Sequence, residues 1–79
     1  MRPEQCRAAR NLLTPAWSRD DLATKAGVSV MSVRRFEQSI GPVSETVVEK
    51  IQKALTRAGI VFLEPGERGP VGRAGVRLR

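Results

Sequence analysis

The chain has 79 residues, 41% of them apolar, and its 14 Lys and Arg against 8 Asp and Glu leave a net charge of +6. That describes one small domain with a cationic balance; eleven of the 14 cations are Arg, which points to an anionic partner, most commonly nucleic acid. With no His, no Tyr and one Cys, the chain offers no zinc site and no acid–base pair, so no enzyme, metal, cofactor or small-molecule ligand is expected.

The lone Cys6 has no internal disulfide partner, which fits a reducing cytoplasm. The charged N-terminal stretch and an apolar run of only four residues, Ile60 to Leu63, predict neither a signal peptide nor a membrane span.

Four helices are expected in order. The first is "PEQCRAARNLL", with Pro3 near its start, Cys6, Ala9, Leu12 and Leu13 on one side, and Pro15 ending it. The second, "SRDDLATKA", has Ser18 as cap, Asp21 as a short-armed capping box, Trp17 and Leu22 as a hydrophobic staple, and Gly27 as its stop. A third runs from Val30 to Gln38, capped by Ser29 with Val28 and Val33 as staple. The fourth follows Ser44 to about Ala58, with Val43 and Val48 as staple, Val48, Ile51, Leu55 and Ala58 on one stripe, and Gly59 beyond its end.

Composition then changes, dividing the chain into a helical domain, 1–59, and a β-prone, Gly-rich tail, 60–79. "IVFL" (60–63) and "VRLR" (76–79) read as two strands joined by a turn-rich loop. Gly66, Gly69, Gly72 and Gly75 recur in that loop every third residue, too few triplets for a collagen helix. A lone hairpin is marginal in water and its edge invites a partner strand. Ile60, Val61, Phe62, Leu63, Val76 and Leu78 are therefore expected to pair across a two-fold axis. The alternative is a tail folded back on helix four. Arg73, Arg77 and Arg79 add charge there and could reach flanking phosphates.

Helices two and three, separated by "AGVS", have the grammar of a helix-turn-helix: small Ala23 for close approach and Gly27 for a turn at positive φ. At 100° per residue, Val33, Phe36 and Glu37 face one way, and Met31, Arg34, Arg35 and Gln38 face the other, with Val30 at the edge. Such an outward face suits a major groove: Arg forks onto guanine, Gln pairs with adenine, and Met or Val covers a thymine methyl. The plainer reading is a solvated helix face.

From about Glu4 to Ala58, along "ARNLL…WSRDDLATKAGVSVMSVRRFEQ…VSETVVEKIQKAL", the chain resembles DNA-binding domains of the Xre/Cro/phage-repressor family. The resemblance implies an all-α, lambda-repressor-like helix-turn-helix bundle, with five helices in many members; here the residues themselves give four helices and a short C-terminal β-hairpin. It also implies a homodimer on an inverted repeat of double-stranded DNA, acting in transcription regulation and often carried by mobile elements. Carried over by position, base readers fall on Val30, Met31 and Arg35, with Arg34 next and Gln38 on the same face. Phosphate contacts fall on Arg19, Ser29, Ser32, Ser39 and Ser44, and a structural ion pair on Arg10 and Glu37. The chain departs from the pattern in "LLTPAWS", in Arg19 where Gln is usual, in the apolar Val30 and Met31, and in a β-tail replacing a fifth helix. Antitoxins share this family, so a toxin protein is the alternative partner.

Overall fold

The computed structural model describes residues 1–63 and 75–79. Gly66, Gly69, Gly72 and Arg73 of the expected loop lie outside the described residues. Four helices come first: α1 (Pro3–Leu12), α2 (Arg19–Ala26), α3 (Val30–Gln38) and α4 (Glu45–Arg57). Two strands follow, β1 (Ile60–Phe62) and β2 (Val76–Leu78). The first helix stops one residue short of the expected Leu13, which is already extended (φ −70°, ψ 150°).

Local chemistry sets most helix ends. The Ser18 hydroxyl accepts from the Asp21 N–H (3.0 Å) while Asp21 accepts from the Ser18 N–H (2.9 Å), satisfying two otherwise orphaned donors at the start of α2. Ser29 and Ser44 accept from the N–H groups of Ser32 and Val47 at the starts of α3 and α4. At the end of α2, Gly27 takes the left-handed conformation (φ 71°), and the Val28 N–H reaches back to the Ala23 carbonyl at 3.1 Å. The end of α3 closes in the same way through Ser39 (φ 54°), with the Ile40 N–H on the Arg35 carbonyl at 3.0 Å. There a residue with a Cβ holds a conformation that glycine adopts more readily.

The core gathers Cys6 and Ala9 from α1, Leu22 and Ala23 from α2, Val33 from α3, and Ile51, Ala54 and Leu55 from α4. Burying the larger of these, such as Leu22, Ile51 and Leu55, contributes about 1.5–3 kcal/mol each. Ile60 and Val76 complete it.

That last fact shows the tail folded back on its own chain, the alternative to pairing across a two-fold axis. The two strands pair with each other, antiparallel, with Ile60 opposite Leu78 and Phe62 opposite Val76. Ile60, Leu63 and Val76 are buried in their own chain; Val61 and Phe62 are half-buried, and Leu78 alone is well exposed. The physical reason lies in α1. Gln5, itself buried, accepts from the Arg2 N–H (2.7 Å) and donates to the carbonyls of Gly75 (3.1 Å) and Leu63 (3.4 Å), so the hairpin is docked by hydrogen bonds as well as by apolar contact. Arg79 then donates to the Thr56 carbonyl (2.9 Å) in the last turn of α4, where a cation also meets the negative end of the helix dipole.

Candidate nucleic-acid interface

Helix α3 owes its orientation to one buried carboxylate. Glu37, with a fully buried side chain, lies on the same side of the helix as Val33 and accepts two hydrogen bonds from Arg10 of α1, at 2.6 and 2.7 Å. Cys6, one turn earlier on α1, directs its thiol at the same carboxylate (3.1 Å). Arg10 uses its remaining nitrogen on the Trp17 carbonyl (3.0 Å), and the Trp17 N–H donates to the Arg10 carbonyl (3.0 Å). Arg10 and Glu37 thus tie α1, the connector before α2, and α3 into one body.

Charges in this cluster adjust to one another. Burial pushes the Glu37 carboxyl up, but hydrogen bonds from Arg10, Cys6 and Arg19 prevail and hold it below the usual carboxylate range. Burial, reinforced by the neighbouring carboxylate, pushes the Cys6 thiol up, so it stays protonated and serves as a donor. The hydrogen bond to Glu37 raises Arg10 despite its burial.

With Val33 and Glu37 turned inward and Phe36 half-covered, the residues left outside are Val30, Met31, Arg34, Arg35 and Gln38. Met31 is 49% exposed and Val30 44%, which is unusual for apolar side chains of their size in this molecule. Among the described residues neither Arg34 nor Arg35 has an ion-pair partner. All five base-reading candidates therefore share one uncovered helix face.

The phosphate candidates are more scattered. Ser29 and Ser32 sit together at the start of α3, their hydroxyls 2.9 Å apart. That first turn carries no acidic residue, whereas α2 begins with Asp20 and Asp21 and α4 with Glu45. Its positive end is thus the one left uncompensated by an adjacent side chain. Ser44 caps α4, and Ser39 shapes the exit from α3. Arg19 donates its Nε to Glu37 (3.1 Å), and its side chain stays one-third exposed.

No protein-family model and no curated protein matches the chain. Among the described residues no group of His, Cys, Asp and Glu is placed to hold a metal ion, and no helix is long and apolar enough to cross a membrane.

Three contacts in this region were not foreseen from the sequence: the Cys6 thiol on Glu37, Arg19 on Glu37, and Arg10 on the Trp17 carbonyl. The i, i+4 spacing of Cys6 and Arg10 was the available signal for the first. The third depends on the path of the 13–17 connector, for which the sequence carries no comparable signal.

Proposed function

We propose that this chain is a helix-turn-helix transcriptional regulator that lays α3 in the major groove of double-stranded DNA. The observation that carries the reading is the outward face of α3: two arginines without an ion-pair partner among the described residues, a glutamine and two exposed apolar side chains, on a helix locked to α1 and α2 through Glu37. Fixing a helix beforehand lowers the ordering cost of binding, and these side-chain types match base edges and thymine methyls. Short α2 and α3, joined by a turn at Gly27, support the same assignment. So does the net charge of +6.

In this reading Val30, Met31, Arg34, Arg35 and Gln38 meet bases. Ser29, Ser32, Ser39, Ser44 and the exposed part of Arg19 meet phosphates. Two copies bind an inverted repeat in the cytoplasm, their reading helices about 34 Å apart. With Ile60, Leu63 and Val76 turned into the core, the dimer contact falls to Leu78 and the half-covered Val61 and Phe62. The test is selection of bound duplexes from a random pool at physiological salt. An inverted repeat with half-site centres about 10 bp apart supports the proposal; salt-sensitive binding without sequence preference refutes it.

A further inference from the structure

Trp17 stands between two shallow recesses, neither of them lined by a residue of α3. One, of about 290 Å³, is lined by Trp17, Ala54 and Ala58, with Lys25 and Arg57. The other, of about 310 Å³, lies between Trp17, Pro15 and Ala16 of the connector and Thr24 and Lys25 of α2, with Asp21 at its side. Because they share Trp17 and Lys25, the recesses form one surface across the connector, α2 and the end of α4. No residue of α3 belongs to it.

We propose that this surface docks an acidic peptide segment of a partner protein, its apolar side chains entering the recesses on either side of Trp17. The floor of Trp17, Ala54, Ala58, Pro15 and Ala16 suits aliphatic or aromatic groups, and a tryptophan beside a pocket is the commonest anchor of protein interfaces. Charge selects the occupant. Neither Lys25 nor Arg57 lies within ion-pair distance of a carboxylate among the described residues. Asp21 is engaged chiefly with Ser18 at the start of α2, which together with a smaller pull from Lys25 holds its carboxyl below the usual range. Two cations are therefore left to meet carboxylates, and reversed or like charges would be rejected. A nucleic-acid strand would meet the same two cations but also the Asp21 carboxylate beside Thr24, and the effect of duplex DNA on Trp17 emission separates it from a peptide.

Trp17 is the sole tryptophan and the chain has no tyrosine, so intrinsic fluorescence reports on this surface directly. The experiment pans a display library of short random peptides on the intact chain with duplex DNA in excess. The enriched peptide is then synthesised and titrated while Trp17 emission is followed. The expected enrichment is for Leu or Phe flanked by Asp or Glu, with a saturable emission shift. Lys25→Gln combined with Arg57→Gln should weaken binding about tenfold, while Lys25→Arg with Arg57→Lys keeps it. If the double Gln variant melts early, each single Gln variant should still show a partial loss. Enrichment without acidic residues overturns the proposal, as does equal binding by the Gln variants. It is equally overturned if duplex DNA itself shifts Trp17 emission and loses that effect in the Gln variants, which would make this a nucleic-acid surface. Because α3 is not involved, failure here leaves the DNA-binding proposal standing, and the reverse holds.

Discussion

Replacing Glu37 by Gln tests the idea that one buried carboxylate holds the molecule together. Its side chain is fully buried and takes four hydrogen bonds: two from Arg10, one from Arg19 and one from Cys6. An amide keeps the shape but loses the charge and turns an NH2 toward groups that are themselves donors. Arg10, only 12% exposed, is then left as a buried cation without its counter-charge, which costs about 3–5 kcal/mol. A chain of 79 residues has a total stability of about 4–12 kcal/mol at 0.05–0.15 per residue. The variant should therefore lose a quarter or more of its stability. Urea unfolding at neutral pH, followed by Trp17 emission, measures the difference. A loss below about 1 kcal/mol would refute the reasoning, because an exposed pair contributes no more than that. A companion variant sharpens the test: Arg10→Met with Glu37→Leu leaves only Arg19 without its partner, and because that side chain is one-third exposed and can turn to water, most of the loss should be recovered. The pH dependence has a definite sign. Glu37 is held below its unfolded value of about 4.3, so its contribution is complete above that pH and disappears as pH falls through the lower native value. Wild-type stability should drop in that acid window, and Glu37→Gln should flatten the drop.

The two similar helix closures should respond in opposite ways to substitution. Ser39→Gly relieves a positive φ and should raise stability by about 0.5–1 kcal/mol, whereas Gly27→Ala should lower it by about 1–2 kcal/mol. Nothing lies within 4 Å of a Cβ added at Gly27, so crowding cannot be the cause; thermal melts of the pair decide it. Gln5→Ala deprives the carbonyls of Leu63 and Gly75 of their side-chain donor, costs about 1–3 kcal/mol, and should speed amide exchange in β1 and β2 ahead of α2 and α3. On the duplex recovered by selection, Arg35→Ala should lose about 1–3 kcal/mol and relax preference at one base pair. Uniform loss over all sequences, read by competition binding, would move Arg35 to the phosphate set.

The helices are legible because their signals are local. Ser18, Ser29 and Ser44 each lie within three residues of the N–H they accept from, and the outward set on α3 follows from 100° periodicity alone. What escaped the sequence is decided at long range. The docking of the hairpin on α1 runs through Gln5, some 58 and 70 residues from the carbonyls it serves. The bond from Arg19 to Glu37 spans 18 positions to an acceptor that already serves Arg10, so no local pattern announces it. Ser39 gave no glycine signal at a position whose backbone is left-handed.

The Gln5 bridge also bears on how the molecule is made. Helix α1 leaves the ribosome first, yet the partners of its buried amide, Leu63 and Gly75, come much later. At about 5–20 residues per second, residue 75 follows residue 5 by about 4–14 s. During that interval the apolar side of α1 lacks the cover of Ile60 and Val76. Chains cut short before residue 75 keep that side uncovered, which marks them for proteolysis. The hairpin is thus the element that closes the core from its late side, and α1 stays incompletely covered until it arrives.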